Sequence, residues 1–404
     1  MIYLDHNATT PIAPEVLAAM MPYLTEEWGN PSSTYKFGAK LKGVIEAARG
    51  QVAELIGAQA SEIIFTSCAT ESNNAAIHAA LKANPAKRHI ITSAVEHSSV
   101  LNLCRTLGGN HITDKTRDPL TPSLSPSDGE RTVEDRVRGY RVTYLPVDRD
   151  GLLKLADLEN ALTDDTAVVS LMWANNETGV LFPVKEIAEM CRARGVLFHC
   201  DAVQAAGKIP INLREAPVDY LSITGHKLGA PKGVGALYVR RKTPFTSLIV
   251  GGHQERNQRG GTENVALIVG LGKACGLARQ KLPEYDKKVR PLRDALEDGI
   301  LHSVPHTELN GHKTQRLPNT SNLTFHGIES EALLILLDQE GVCASSGAAC
   351  LADSDEPSYV VQAMKPESAA SRQMIRFSLG WENTNVEVKA AMNAITRAAK
   401  MLRG

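Results

Sequence analysis

The sequence lacks an excess of charge of either sign, since 44 Lys and Arg residues stand against 45 Asp and Glu residues. Its basic residues do not form a run, so direct binding to nucleic acid or to a membrane surface is not expected. No window approaches the roughly 18 consecutive apolar residues that a membrane span needs. The opening residues, MIYLDHNATT, lack the basic and apolar segments of a secretory signal. These absences predict a cytoplasmic globular protein.

Cysteines are few and follow no disulfide or metal pattern. The seven cysteines include no CxxC pair, and Cys343 and Cys350 are spaced too widely for a usual zinc knuckle. An odd number of cysteines in a large chain suits a reducing compartment better than a disulfide framework. Cys350 differs from the others because it lies in the polar, glycine-bearing stretch ASSGAACLADSDEP. A role in packing is expected for the remaining six, Cys68, Cys104, Cys191, Cys200, Cys275 and Cys343.

Short β-rich runs alternate with helical stretches through most of the chain. Helical spacing of apolar residues is clear over 184–194, and buried apolar strands between such helices favour a mostly parallel sheet covered on both faces. After about residue 262 a long helical stretch, 262–301, leads to a smaller α+β region. The pattern therefore predicts an α/β fold with a second domain. The predicted strands are 63–67, 89–93, 142–147, 167–172, 196–200, 220–224 and 236–241.

One segment breaks this alternation. Residues 118–139 are rich in Ser, Pro and charged residues and show almost no apolar periodicity. This composition is typical of a solvated excursion between a helix and a strand. A partner-docking arm is the functional alternative for the same segment.

Polar residues follow five of the predicted strands, at the edge where an α/β sheet binds ligands. A single one of them is more typical of a helix cap or a loop hydrogen bond, but their recurrence indicates a site. Lys227 follows an apolar strand, and burial favours the neutral amine that a Schiff base requires. Asp201 follows a neighbouring strand and could face a cationic ring nitrogen. Together with hydroxylic residues around Thr70, this set matches the needs of pyridoxal phosphate.

The ordered set of motifs identifies the chain as similar to the pyridoxal-phosphate cysteine desulfurases of the nitrogen-fixation and iron–sulfur-cluster type. The resemblance implies an aspartate-aminotransferase-like fold, also called fold type I. It assigns residues 13–261 to a large cofactor domain, and residues 1–12 and 262–404 to a small domain with a mobile catalytic loop at 344–357. The matching motifs are YLDHNATT, GNPSS, EIIFTSCATES, VEHSSV, WANNETG, HCDAVQAAGK, GHKLGAPKGVG, GGHQERNQRGGTEN, SSGAAC and IRFSLG.

The same resemblance implies roles for individual residues. Lys227 matches the Schiff-base lysine, Asp201 the partner of the pyridinium nitrogen, and His97 the side chain stacked on the ring and a candidate proton carrier. Arg376, with Asn176 nearby, matches the arginine that binds the substrate carboxylate, a task that suits its bidentate fork. The implied cofactor-binding set is Ala69, Thr70, His97, Asn176, Asp201, Gln204, Thr224, His226, Lys227 and, from the other subunit of a homodimer, Thr262.

Cys350 matches the nucleophile of this family. The implied reaction converts L-cysteine to L-alanine and leaves a persulfide on Cys350, whose sulfur passes to iron–sulfur cluster assembly, with nitrogenase-related assembly favoured by the motif wording. A transient iron–sulfur contact at Cys350 is the one metal contact that the resemblance implies. The chain departs from the family pattern at His6, where Asn or Tyr is usual, and at Ala348, where Ser is frequent.

Three other interpretations remain open from the sequence. A selenocysteine lyase or an aminotransferase would keep the fold and cofactor but change the substrate. A desulfurase that serves tRNA thiolation would differ only in the protein that accepts sulfur. A sulfur-carrier or assembly scaffold would keep the fold without turnover. Replacing Cys350 separates the desulfurase from the aminotransferase, because only the desulfurase needs that thiol.

Overall fold

The computed structural model describes residues 1–109, 139–347 and 357–403. Residues 118–138 of the predicted excursion and residues 348–356, which include Cys350, lie outside the described residues. The strands are β1 (Ile2–Tyr3), β2 (Ile63–Thr66), β3 (His89–Ser93), β4 (Arg141–Leu145), β5 (Thr166–Met172), β6 (Leu197–Asp201), β7 (Tyr220–Thr224), β8 (Gly235–Val239), β9 (Thr307–Leu309), β10 (Thr320–Phe325), β11 (Val342–Cys343) and β12 (Met374–Ser378). The helices are α1 (Pro14–Thr25), α2 (Lys36–Ala39), α3 (Leu41–Ile56), α4 (Ala69–Ala83), α5 (Ser98–Leu107), α6 (Leu155–Ala161), α7 (Val184–Ala193), α8 (Gln254–Asn257), α9 (Val265–Ser303), α10 (Ser330–Gln339), α11 (Tyr359–Met364) and α12 (Asn385–Arg403).

The central sheet of the described chain has seven strands in the order β2-β8-β7-β6-β5-β3-β4. Strands β4, β3, β5, β6 and β7 pair in parallel, whereas β8 runs antiparallel to both β7 and β2. Strand β2 therefore points the same way as β7. The predicted mostly parallel sheet is confirmed, and each predicted strand is present with its ends shifted by at most two residues.

Both faces of this sheet are buried. Successive residues of a strand point to opposite faces, and here they enter different hydrophobic clusters: Ile90 packs with α4 residues, while Ile91 packs with residues of α3 and α7. Val168 and Val169 divide in the same way. This two-sided burial explains why the strands read as continuous apolar runs instead of alternating with polar residues.

A second hydrophobic cluster lies around the antiparallel sheet β12-β10-β9 and helices α10 and α12. The chain's first residues join it, because β1 pairs in parallel with β11 and Leu4 is buried in this cluster. Helix α9 connects the two clusters: Leu271 packs in the large one and Leu296 in the small one. The domain division after residue 261 stays a prediction, because the helix that follows contributes to both cores. None of the helices in the described ranges is long and apolar enough to cross a membrane.

Candidate active site

A cavity of about 260 Å³ opens at the carboxyl edge of the central sheet. Polar residues after β2, β3, β5, β6 and β7 line it, which are the five strands that the sequence singled out. Parallel strands end at one edge, so residues far apart in sequence meet there. Asn7, Ala8 and Arg376 reach the cavity from the region around β1 and β12. The lining consists of Asn7, Ala8, Cys68, Ala69, Thr70, His97, Ser99, Met172, Ala174, Asn176, Asp201, Val203, Gln204, Thr224, His226, Lys227 and Arg376.

One end of the cavity is built to receive an anion. Ala69 and Thr70 form the first turn of the 15-residue helix α4, and its N-cap residue Cys68 makes no side-chain cap. The N–H groups of that turn and the helix dipole favour a phosphate. His226 also lines the cavity, with Nδ1 at 3.2 Å from Thr9 Oγ1. Burial, reinforced by Lys227, lowers the pKa of His226 to about 4, so the imidazole is neutral at pH 7 and can donate an N–H.

Asp201, the last residue of β6, is a buried carboxylate without a cation partner among the described residues. Its Oδ2 accepts a 2.8 Å hydrogen bond from Asn73 Nδ2, and its Oδ1 accepts one of 3.0 Å from Val203 N. These two neutral donors fix the carboxylate at the cavity wall. A buried negative charge with only neutral partners suits a protonated ring nitrogen.

Lys227 ends the single helical turn that follows β7, and its Nζ donates to the carbonyl oxygens of Asn7 and Ala8, at 2.6 Å for Ala8. Both acceptors belong to the N-terminal segment, so this segment forms a wall of the cavity. Gln204 Nε2 also donates to Asn7 O, at 3.0 Å. The amine that the sequence selected thus lies in the same cavity as Asp201 and Gln204.

Arg376 in β12 is 1% exposed, and its side chain lines the cavity. Its Nη2 donates to Asp5 Oδ1 at 2.7 Å and its Nη1 to Asn176 O at 3.0 Å, while its Nε has no partner in the part of the chain that the structure describes. Asn176 Oδ1 is also buried without a partner among the described residues. An arginine with donor capacity left in a cavity can bind a carboxylate.

His97 is the N-cap of α5, where Ser99 holds it. Its Nδ1 lies 2.8 Å from Ser99 Oγ and accepts from Ser99 N at 3.2 Å. This capping geometry fixes the ring at the cavity wall. Thr262 is different, because it lines a neighbouring cavity of about 230 Å³ with Arg259 and not the one that holds Lys227. Within one chain the structure brings together every predicted cofactor-binding residue except Thr262.

The cysteines divide into two groups. Cys104, Cys191, Cys200 and Cys275 are buried, and burial raises the thiol pKa of each, to about 12 for Cys104, so they are inert packing groups as predicted. Cys68 requires a correction, since it lines the cavity as the N-cap of α4 instead of packing in the core. Among the described residues no cluster of His, Cys, Asp and Glu could hold a metal ion.

Sequence reasoning missed Asn7, Asn73, Ser99 and Lys208. Asn7, Ser99 and Lys208 lie within quoted motifs and Asn73 directly follows one, but none is the residue that the strand-end rule selected. Asn7 reaches the site because the N-terminal segment pairs with β11 and with Ser378 of β12. The structure also shows what surrounds His6, at which the chain departs from the family pattern. The His6 ring packs edge-to-face on Tyr3 with centroids 5.0 Å apart, and a Cβ at Gly380 would lie 2.3 Å from His6 Cε1.

The donors and acceptors in this cavity fit pyridoxal phosphate: an amine, a buried carboxylate for the ring nitrogen, and a helix N-terminus for the phosphate. The fold and the cavity define a pyridoxal-phosphate-dependent enzyme of fold type I. The chain belongs to the class-V aminotransferase family, which its sequence matches over residues 2–116 and 133–391.

Similar proteins carry a narrower description. Cysteine desulfurase 2 of Trichormus variabilis is 49% identical over 403 residues, covering 100% of this chain and 94% of its own. Cysteine desulfurase NifS of Azotobacter vinelandii is 46% identical, covering 100% and 93%. The solved structure of a NifS-like protein superposes with a TM-score of 0.86 at 34% identity, covering 99% of each chain. The recognition made from the motifs is confirmed.

Proposed function

We propose that this protein is a cysteine desulfurase that converts L-cysteine to L-alanine and keeps the sulfur as a persulfide on Cys350. The observation that carries the proposal is the cavity that unites Lys227, Asp201, His97 and Arg376. Bound pyridoxal phosphate supplies an electron sink for the negative charge that develops at the substrate α-carbon. Arg376 binds the substrate carboxylate, and Lys227 and His97 move protons at the α-carbon.

Cys350 accepts the sulfur in this proposal. Its thiolate attacks the substrate sulfur, the carbon–sulfur bond breaks with its electrons left on carbon, and protonation of that carbon yields alanine. The substrate loses one sulfur atom and the enzyme gains it. Ser345, five residues before Cys350, exchanges backbone hydrogen bonds with Arg376, of 3.2 and 2.7 Å. Five residues span at most roughly 17 Å, so the chain between Ser345 and Cys350 starts beside the strand that contributes Arg376 to the cavity.

Mass spectrometry after treatment with L-cysteine tests this step. We expect a single adduct of about 32 Da on the peptide that contains Cys350, the mass of one sulfur atom. The Cys350→Ala variant should bind pyridoxal phosphate and release no sulfide, with Cys343→Ala as the matched control. Undiminished turnover by Cys350→Ala would identify an aminotransferase or a lyase that does not need this thiol.

The assembly and the sulfur acceptor belong to the same proposal. The protein works as a homodimer in the cytoplasm, and the partner subunit completes each site with its Thr262. Exposed apolar side chains on α1, among them Leu17, Met21 and Leu24, support a covered surface there. An iron–sulfur scaffold, within nitrogenase assembly, receives the sulfur. Sedimentation analysis tests the dimer, and a sulfur-transfer assay that compares a cluster scaffold with a tRNA-thiolation protein tests the acceptor.

A further inference from the structure

Lys208 is a buried lysine that none of the proposed roles uses. It is 6% exposed, and no carboxylate lies within 4.0 Å of its Nζ among the described residues. The charged groups that bear on it are cationic: Lys227, Arg376 and, when protonated, His6. Burial and these neighbours lower the pKa of Lys208 well below its usual value. A cation kept in such a place needs a reason beyond charge pairing.

Its contacts supply that reason. Lys208 Nζ donates a 2.7 Å hydrogen bond to Gln204 Oε1 and a 2.8 Å bond to Asn7 Oδ1. Gln204 Nε2 donates to Asn7 O at 3.0 Å. Because Lys208 Nζ is the donor in both bonds, it selects the oxygen end of each amide. The oxygen of Gln204 is therefore turned toward Lys208, and only its NH2 group remains to face the cavity that Gln204 lines.

We propose that Lys208 is a positioning residue that locks the Gln204 amide with its NH2 group toward the ring oxygen of bound pyridoxal phosphate. This inference rests on the proposed function, and on the family resemblance, by which Gln204 matches a side chain near the ring and its phenolic oxygen. Without Lys208, the single hydrogen bond from Gln204 Nε2 to Asn7 O would be the one described contact that favours this orientation, and a turned amide would present its own oxygen and repel the anion. Lys208 also holds Asn7, whose carbonyl accepts from Lys227, so one lysine aligns both walls of the site.

The pH titration of the visible absorbance of bound cofactor reports this orientation directly. A hydrogen bond donated to an anionic oxygen stabilises the anion, so its loss raises the pKa of the cofactor's titration. We expect Lys208→Met to raise it by about one pH unit, the value of one hydrogen bond to a charged group. Lys208→Gln loses the charge but keeps an N–H donor, so it should shift the titration by less than half as much. The exposed Lys185 gives the control, and Lys185→Met should leave it unchanged.

A second background separates orientation from charge. In a Gln204→Ala enzyme no amide remains to be oriented, so the difference between Lys208→Met and Lys208→Gln should vanish. Equal shifts in the two variants, or a difference that persists without Gln204, would overturn the proposal and assign the effect to charge alone. If Lys208→Met fails to fold, Lys208→Gln alone tests the proposal. A shift in the pKa of the cofactor titration as large as that caused by Gln204→Ala would contradict the proposed orientation of the amide, and a much smaller shift would support it. A wild-type protein without a visible cofactor band would instead refute the proposed function.

Discussion

Two buried arginines outside the cavity are fully paired, whereas a buried arginine that lines it keeps an unused donor. Arg316 makes a two-bond pair with Glu297, of 2.7 and 2.5 Å, and Ser321 adds a 2.7 Å bond to that carboxylate. Arg49 pairs in the same bidentate way with Glu255, at 2.6 and 2.8 Å. Each guanidinium meets one carboxylate in full, which is the arrangement that lets a charge pair tolerate burial. These pairs hold structure and have no capacity left for a ligand.

The cavity has a different balance. Lys227 and Arg376 line it, Lys208 binds Gln204 at its wall, and Asp5 pairs with Arg376 through a single 2.7 Å bond. The Nε of Arg376 has no partner among the described residues. An unused hydrogen-bond donor on a buried arginine is therefore one mark of a ligand-binding site. A phosphate and a substrate carboxylate supply the missing negative charge.

The largest expected effect comes from the amine. Lys227→Ala removes both the Schiff-base nitrogen and a proton carrier, so we expect turnover of L-cysteine to fall by roughly a thousandfold or more. Its fold should persist, because the hydrogen bonds from Lys227 to Asn7 and Ala8 go to two backbone carbonyl oxygens at the cavity wall. Steady-state kinetics with a thermal melt check both parts. Residual turnover within tenfold of the wild type would break the comparison, since this lysine would then be structural.

A paired arginine should show the reverse pattern. Arg316→Met leaves the buried carboxylate of Glu297 without its hydrogen-bonded cation partner, so we expect the free energy of unfolding to fall by about 3–5 kcal/mol. The kcat of folded enzyme should stay within a factor of two, because Arg316 does not line the cavity. Urea denaturation followed by kinetics measures both. Arg397→Met is the control: its pair with Glu340 is exposed, so stability should not change measurably.

Arg376 should affect the substrate more than the fold. Arg376→Met removes the donors that face the cavity, and we expect the KM for L-cysteine to rise about a hundredfold, the cost of losing charge-assisted hydrogen bonds to a carboxylate. Arg376→Lys keeps the charge without the fork and should fall between the two enzymes. Cysteamine, which lacks the carboxylate, is the informative control. If its turnover also falls a hundredfold, Arg376 serves the fold and not the carboxylate.

The strands of the central sheet could be predicted from local sequence, because they are buried on both faces. Runs such as Thr166–Met172 are buried at every position and mostly apolar, so composition marked them. The residues at the ends of these strands were predictable for the same reason, since parallel strands end at one edge. The N-terminal wall was not predictable from such rules. Asn7 depends on pairing between β1 and β11, which are 340 residues apart. Lys208 lies beyond the strand-end rule, and its role depends on hydrogen bonds that no pattern encodes.

Glu96 gives the smallest effect and sharpens the comparison, because it is a buried carboxyl beside the site without a cation. It is 0% exposed; its Oε1 accepts from Ser93 Oγ at 2.6 Å and from Met172 N at 3.1 Å, and its Oε2 has no partner among the described residues. Burial raises its pKa to about 8. The folded chain therefore keeps a proton that the unfolded chain releases, and stability falls as pH rises from about 4.5 to about 8.

Glu96→Gln removes this titration while keeping an oxygen that can accept both hydrogen bonds. We expect the two proteins to have the same free energy of unfolding near pH 5, and that of the variant to be higher by on the order of 2 kcal/mol at pH 8. Full linkage would give about 1.4 kcal/mol for each pH unit between the unfolded and folded pKa values, so the expected difference lies below that limit. Urea denaturation at several pH values measures the slope. The exposed Glu189→Gln should leave it unaltered. If the free energy of unfolding of Glu96→Gln depends on pH as steeply as that of the wild type, Glu96 is ionised in the folded protein. A buried carboxylate would then tolerate burial without a cation partner, unlike the paired carboxylates of Glu297 and Glu255.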